Sequence, residues 1–446
     1  MAQLYPFTDP IEAERSAPMR VVAGRGCHVT DEGGVTYLDA VAGLWCASLG
    51  FADERLRTAA VRQMETLSYY HSFMGRTAEV TERLAGRLVS HLPAPLSHVF
   101  FGCTGSDAVD SAVKVARFYQ NARGKSAKKR IVAREGGYHG SGIASASLTS
   151  MSYCHDGFDL ADEKGVLRTG RPHHFRDALP GEDEQAFSAR RADELDALIR
   201  AAGPETVAAF IAEPVIGSGG AIPPPEGYWA AISAVLRRHD VLLIADEIIT
   251  GFGRTGEWFG SDTYAIEPDL MTMAKQLSGA HFPISALGVS GQVHEVIAAH
   301  AHELGTFGHG YTYGGHPVGA AIALEAIRIY EDMDLPRHVG ALGTHLAGAL
   351  APLAGRDGVD QVRQVGLIAG VELDGRFVER GGERAGQPGA FGRAVGEEAR
   401  RRGVLFRVIG DTLAISPPLI VTSAEIDRIV ATLAESIAAV AGHRAA

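Results

Sequence analysis

The stretch Val241–Trp258, VLLIADEIITGFGRTGEW, ends an apolar run in two carboxylates, Asp246 and Glu247, and follows them with a glycine-rich segment. Two chemistries want a carboxylate at such a place. One holds a divalent cation against the phosphates of a nucleotide. The other holds a protonated ring nitrogen of a bound heterocycle. Two further features bear on the choice. Lys275, in PDLMTMAKQLSGAHFPISALGV, stands alone among apolar and small residues. A desolvated lysine has a depressed pKa, which suits imine formation with an aldehyde. Gly105 and Ser106, in FFGCTGSDAVDSAVKVAR, lie between an apolar run and a helical pattern. That order aims backbone N–H groups and a helix dipole at an anion.

The nucleotide chemistry also needs G-x-x-x-x-G-K-[ST] to cradle phosphates. The segment YQNARGKSAKK supplies Gly124, Lys125 and Ser126, but Tyr119 stands where the first glycine belongs. It also follows a helical pattern and precedes a strand, the reverse of the required order. The set that remains matches an aldehyde cofactor with a phosphate handle: a lysine for the imine, Asp246 for the ring nitrogen, and a cradle for the phosphate. Taken singly, each residue has an ordinary explanation. Lys275 could snorkel to the surface, Asp246 could be a turn residue, and Ser106 could cap a helix with Asp107 in its first turn. No metal site is expected.

The elements that must position these residues alternate. Between Val29 and Leu49 short strands flank a Gly-Gly pair, the mark of a hairpin. Helical periodicity covers Glu54–Tyr70 and Glu79–His91. Strands are expected at His98–Cys103, Val207–Val215 and the VLLIADE run, with helices at Ser106–Arg123 and GYWAAISAVLRRHD between them. Strands separated by helices predict an α/β fold, with a mostly parallel sheet covered on both faces. Ligands in such sheets bind beyond the carboxyl ends of the strands, where every polar cluster noted here lies. After Pro317 a long helix leads to short strands, a polar Gly-rich insertion at Asp374–Gly392 and a final amphipathic helix capped near Ser423. Residues 61–320 are therefore read as a large ligand-binding domain. Residues 1–60 and 321–446 are read as a smaller α+β domain built from both termini.

A chain of 446 residues exceeds one simple core, in keeping with two domains. The formal charge of −11 argues against a nucleic-acid partner. The one basic run, RGKSAKKR at Arg123–Arg130, reads as a solvated helix end and loop. Cys27, Cys46, Cys103 and Cys154 show no CxxC spacing and read as reduced, buried, small apolar residues. The N-terminus lacks a basic start followed by an apolar core, and no apolar run reaches the roughly 20 residues that span a bilayer. A soluble, cytoplasmic protein without a membrane partner is expected.

Six segments then resemble the successive motifs of one family: GSDAVDSAVKVAR, GGYHGS, FIAEPV, DEIITGFGRTGEWFG, DLMTMAKQLSG and GHGYTYGGHPVGAAIALEAI. In order and spacing, over Val29 to Ile437, they are similar to the class III aminotransferases, pyridoxal 5'-phosphate enzymes of fold type I. The resemblance implies that Lys275 forms the imine and later shuttles a proton, and that Asp246 pairs with the pyridinium nitrogen. It implies that Ile248 and Tyr138 pack on opposite ring faces, Tyr138 with His139 in a Tyr-His-Gly motif. Thr104, Gly105 and Ser106 would hold the phosphate, and Glu213 would lie near the ring's polar edge. Thr312 would reach the phosphate of the other subunit, so the site would be shared across a homodimer. The glutamate that the family carries after Gly-Ser is Asp107 here, one methylene shorter.

Substrate residues follow from the same likeness. DAVAGLWCASLGF resembles the pocket segment of amine and omega-amino acid:pyruvate transaminases, so Trp45 is either a pocket wall or a core tryptophan beside the hairpin. Arg407, between apolar strand residues, stands where those enzymes carry a mobile arginine that binds the acceptor's carboxylate. Met74 stands where an aromatic is frequent, and a methionine wall adapts to bulky amines. The implied reaction is ping-pong amino transfer from an amine or omega-amino acid to a keto acid such as pyruvate. Two alternatives remain: a cofactor enzyme of the same fold that does not transaminate (an epimerase, mutase or decarboxylase), and a non-catalytic protein of that fold.

Overall fold

The structure, a computed structural model, describes residues 2–16, 18–160, 165–375 and 387–442. Residues 376–386 of the expected Gly-rich insertion lie outside them, and its end already belongs to a helix, Ala390–Arg401. Near the N-terminus, strands β1 (Val21–Arg25), β2 (His28–Asp31) and β3 (Thr36–Asp39) pair antiparallel in sequence. The hairpin turns at the Gly-Gly pair, where Asp31 Oδ1 accepts from the backbone N–H groups of Gly33 and Val35, both at 2.9 Å. The strand pattern expected to run on toward Leu49 breaks instead: Ala42–Trp45 is a short helical turn with positive φ at Ala42, Gly43 and Trp45.

The central sheet uses β4 (Leu96–Gly102), β5 (Arg130–Arg134), β6 (Val166–Thr169), β7 (Val207–Ala212), β8 (Leu242–Asp246), β9 (Leu270–Met273) and β10 (Ser285–Ser290). Their order is β4-β10-β9-β8-β7-β5-β6. Alternate residues of each strand serve opposite faces. Ile131, Ala133 and Ile244 pack under the helix Gly105–Ala122 with Val109, Ala112, Val113 and Ala116. Val132, Phe210 and Leu243 pack on the other face under Leu195, Ile199, Ile232 and Leu236. This is the two-faced α/β layering that the alternation predicts, with one departure: β10 runs antiparallel to both β4 and β9. The cause is the connection. A parallel partner needs a crossover of about a dozen residues or more, usually a helix. The eleven residues between β9 and β10 hold a 3-10 turn, Lys275–Ser278, and no crossover helix.

The C-terminal part adds β11 (Val359–Val365), β12 (Ile368–Leu373), β13 (Val404–Leu405), β14 (Arg407–Ile409) and β15 (Thr412–Ile415). Four of them form a sheet in the order β11-β12-β15-β14, while β13 pairs in parallel with β3 of the N-terminal hairpin. The final helix, Ser423–Gly442, is opened by a reciprocal cap: Glu425 N donates to Thr422 Oγ1 and Thr422 N to Glu425 Oε2.

Two expectations about surface chemistry change. The basic run is a largely exposed helix end and loop, as expected, but its cations are paired and Lys128 is buried. Arg123, Lys125 and Lys128 converge on Asp240 at 3.1, 2.5 and 3.8 Å, and Lys128, 4% exposed, also donates to the carbonyls of His239 and Asp240. Of the four cysteines, all free, Cys27 and Cys154 are buried, but Cys46 and Cys103 are partly open. None of the described helices is long and apolar enough to cross a membrane.

Candidate active site

Five parallel strands end at one cavity of about 670 Å³, and each delivers residues to it. After β4 come Thr104, Gly105 and Ser106; after β5, Tyr138 and His139; after β7, Glu213; at the end of β8, Asp246 and then Ile248; after β9, Lys275. Because β10 is reversed, it contributes the residues before it, Phe282 to Ile284, to the same wall.

The anion cradle opens the helix Gly105–Ala122. Its N-cap is Thr104, not Ser106: Thr104 Oγ1 accepts from Asp107 N at 3.2 Å, and Asp107 Oδ2 accepts from Cys103 N and Thr104 N, both at 3.1 Å. Asp107 is thereby committed to a capping box. The amides of Gly105 and Ser106 find no acceptor among the described residues, as first-turn amides lack one within a helix. Ser106 Oγ accepts from Ser141 N at 2.9 Å, which leaves its hydroxyl hydrogen free to donate. Gly105 leaves room for Ile248: a Cβ there would lie 2.9 Å from Ile248 Cδ1 and push that side chain aside.

The Asp246 carboxylate is 2% exposed and held on two sides. His139 Nδ1 lies 2.7 Å from Oδ2; Thr272 Oγ1 and Ile248 N donate to Oδ1 at 3.0 and 3.2 Å. Such a buried carboxylate can keep a proton on a ring nitrogen opposite it. Glu247 faces away, as its neighbour on an extended strand must. Its carboxylate accepts from Thr250 Oγ1 and the amides of Gly260 and Ser261, and burial pushes its pKa up to about 7. Glu213 accepts from Tyr138 N at 3.2 Å and Gly217 N at 2.8 Å, and burial also raises its pKa.

Lys275 enters the cavity from strained backbone, with φ +47. For a residue with a Cβ this costs about 1–3 kcal/mol. Its amine finds no hydrogen-bond partner among the described residues. Burial lowers its pKa below the usual lysine range; Cys46, Asp246 and Glu213 oppose the shift, and the Arg407 charge adds to it.

Trp45 is 1% exposed, packs with Val41, Val215 and Ile249, and lines the cavity. Arg407 is exposed, lines the cavity, and makes no ion pair among the described residues. Met74 and Thr312 are not in this chain's cavity; Met74 is 92% exposed and Thr312 is exposed. Two contributions were missed from sequence. Pro6 and Phe7 reach the cavity from the N-terminal segment, with Phe7 edge-on to Tyr153 at 6.0 Å between ring centroids. Thr272 supports Asp246 from within β9. Neither carries a spacing signal, since each acts across a long stretch of chain.

The residues present therefore fit a phosphate-bearing pyridine aldehyde: free amides at a helix start, a space kept open by Gly105, a buried carboxylate, and an amine without a partner. The comparisons agree. The family model for class III aminotransferases matches residues 11–437. An uncharacterized aminotransferase of Sinorhizobium fredii, y4uB, is 45% identical over 98% of this chain and 94% of its own length. A mitochondrial gamma-aminobutyrate transaminase 1 of Oryza sativa subsp. indica is 43% identical over 98% and 84%. The crystal structure of the omega transaminase from Pseudomonas jessenii in complex with PMP superposes with a TM-score of 0.96 at 43% identity, covering 99% of this chain and 97% of that one. These relatives support amino transfer over the non-transaminating and non-catalytic alternatives. The chain belongs to the class III aminotransferases and is a fold type I, pyridoxal phosphate-dependent transaminase.

Proposed function

We propose that this transaminase moves an amino group from a primary amine or omega-amino acid to a keto acid, pyruvate foremost, in two half-reactions, as a homodimer with its site at the subunit interface. The observation that carries the reading is the single cavity onto which Lys275, Asp246, the Gly105–Ser106 cradle and the unpaired Arg407 all open. The names of the relatives, gamma-aminobutyrate transaminase and omega transaminase, support the donor class.

When bound, pyridoxal phosphate supplies a ring that accepts electrons from the carbon bearing the donor nitrogen. The chain does the rest. Thr104, Gly105 and Ser106 bind the phosphate through amides and hydroxyls. Asp246 keeps the proton on the ring nitrogen, and His139 and Thr272 fix the carboxylate that does so. Ile248 and Tyr138, both lining the cavity, would hold the ring between them, and Glu213 holds the backbone of Tyr138 in place. Lys275 is the residue that attaches the aldehyde. Released by the donor, its Nζ, whose pKa burial lowers, would take the proton from the donor carbon and return it on the other side of the donor nitrogen. Arg407 binds the acceptor carboxylate, and Trp45 bounds the pocket that an apolar amine fills.

Met74 and Thr312 are read as serving the partner's site. Their segments meet on one surface: Tyr69 OH donates to Thr312 O at 2.9 Å and its ring packs on Tyr313, while Tyr70, Phe73 and Met74 stay exposed nearby in sequence. A second subunit over this apolar surface accounts for both. We also read residues 1–60 and 321–446 as one smaller unit, which the pairing of β13 with β3 supports. A cytoplasmic location is part of the reading, supported by four free cysteines.

Two experiments test this. An amine without acceptor should bleach the bound cofactor's visible absorbance, and pyruvate should restore it; Lys275→Ala should do neither. Absorbance indifferent to every amine in a panel of alanine, omega-amino acids and arylalkyl amines would overturn the reading. Hybrid dimers of Lys275→Ala and Thr312→Ala subunits test the shared site, because one of the two sites in each hybrid has both residues intact. Activity no higher than in either parent would remove the cross-subunit role.

A further inference from the structure

Lys275 needs an external restraint. The 3-10 turn it begins is only four residues long, and the preceding Ala274 is also irregular, with φ −159 and ψ −147. The turn's own backbone bonds are Leu277 N to Ala274 O at 2.9 Å, Gly279 N to Gln276 O at 3.0 Å and Ala280 N to Lys275 O at 3.3 Å, and none of them ties it to another element. A left-handed residue with a Cβ persists only where its surroundings over-determine it.

Two fully buried side chains supply that restraint from outside the cavity. Gln276 donates from Nε2 to the carbonyl of Ile249 at 2.7 Å. Its Oε1 has no partner among the described residues, so this one donor bond is what the amide does there. Tyr330, on the helix Pro317–Asp332, donates its hydroxyl to the carbonyl of Gln276 at 2.7 Å. With that proton committed, Ser48 Oγ at 2.6 Å must be the donor to the Tyr330 oxygen. Ser48 O in turn accepts from Leu419 N at 2.7 Å. The residue next to Lys275 is thus tied to the strand end carrying Asp246 and Ile248, to a long helix, and to the segment that follows Trp45. A phenylalanine would fill the volume of Tyr330 equally well. Its hydroxyl therefore serves two bonds, one donated to Gln276 O and one accepted from Ser48 Oγ, and of these only the first reaches the lysine turn; none of the three side chains lines the cavity.

We propose that Tyr330 and Gln276 are positioning residues for Lys275: together they lock the left-handed turn that aims its amine into the cavity and set the distance between that amine and the Ile248 side of the site. The proposal rests on the reading of Lys275 given above. A shift of about 1 Å in a reacting group costs up to about 100-fold in rate.

The test uses four variants, Tyr330→Phe, Gln276→Leu, Ser48→Ala and Lys275→Ala. Two quantities are measured: the single-turnover amine half-reaction of the holoenzyme, and the rate at which apoenzyme captures pyridoxal phosphate in a borohydride-fixable link. Tyr330→Phe and Gln276→Leu should each lower the maximal half-reaction rate and the capture rate about 10-fold. The amine concentration for half-saturation should stay within about twofold, a split that general loosening of the pocket would not give. Ser48→Ala should stay near wild type, because Tyr330 keeps its bond to Gln276. Normal rates in both Tyr330→Phe and Gln276→Leu, with Lys275→Ala inert, overturn the proposal and leave the reading of Lys275 intact. A fixable link at its normal site in Lys275→Ala overturns the reading itself. A Ser48→Ala loss as large as that of Tyr330→Phe also overturns the proposal, since the effect would then come from the N-terminal contact. If Tyr330→Phe does not fold, Gln276→Leu decides alone.

Discussion

Gly105→Ala should separate the stability of the phosphate cradle from its fit to the cofactor. A Cβ at this position would sit 2.9 Å from Ile248 Cδ1, 3.4 Å from Cγ2 and 3.5 Å from Cγ1. Carbon atoms rest at about 3.5–4.0 Å, so the Ile248 side chain must retreat by about half an ångström or more. It has little freedom to do so without entering the space of the ring. Its backbone N is bonded to Asp246 Oδ1 at 3.2 Å, and a β-branched side chain has few rotamers. Overpacking of this kind costs about 1–3 kcal/mol. At 1.4 kcal/mol per factor of ten, the dissociation constant for pyridoxal phosphate should rise about 5- to 140-fold. The apoprotein should respond in the opposite sense. There Ile248 can yield into the cavity, and alanine is better than glycine in a helix by up to about 1 kcal/mol, less in a first turn. Equilibrium titration of apoprotein with cofactor, beside thermal melting of the same apoprotein, reads both effects. The reasoning is refuted if cofactor affinity stays within twofold of wild type, or if the apoprotein melts lower by enough to explain the loss.

Other perturbations read other parts of the site. Arg407→Ala should raise KM for pyruvate at least 10-fold while leaving the half-reaction with a neutral amine within about threefold, because a charged hydrogen bond to a carboxylate is worth about 1.5–3 kcal/mol; equal losses for both substrates would remove its acceptor role. His309 offers a pH signature. Burial lowers its pKa to about 4, and Lys114 beside it adds to the shift. The folded protein therefore binds fewer protons than the unfolded chain, whose histidine titrates at about 6.5. This contribution to stability is complete above about pH 6.5 and is lost as pH falls toward about 4. His309→Gln should flatten that part of a melting-temperature profile, and an unchanged slope would show that other groups set it.

Much of this site was readable because its parts are local. A strand end, a glycine and a helix start are neighbours in sequence, so Gly105, Ser106, Asp246 and Lys275 could be placed before any coordinates. What could not be read depends on pairing across the chain. The reversal of β10 follows from a connection too short for a crossover, but the apolar alternation of ISALGV is the same for either direction. The cap of the cradle helix moved from Ser106 to Thr104 because hydroxyls two residues apart are indistinguishable until the backbone commits. Lys128 looked solvated among other cations, and Asp240, far along the chain, pairs with three of them. The hold of His139 and Thr272 on Asp246, and the reach of Phe7 to the cavity, are of the same kind.

The reversed strand has a consequence for how the protein assembles itself. Met273 pairs with Ala286 just across the lysine turn, whereas Ser285 pairs with Gly102 from a distant part of the chain. Closing a short loop forfeits little chain entropy, and contacts between near neighbours form faster than contacts between remote ones. The turn that carries Lys275 is thus the tip of a local hairpin, shaped by its own neighbourhood. The phosphate cradle at the end of β4 must dock onto that hairpin from afar. The two halves of the cofactor's grip therefore draw on contacts of different range, local on the lysine side and long-range at the cradle.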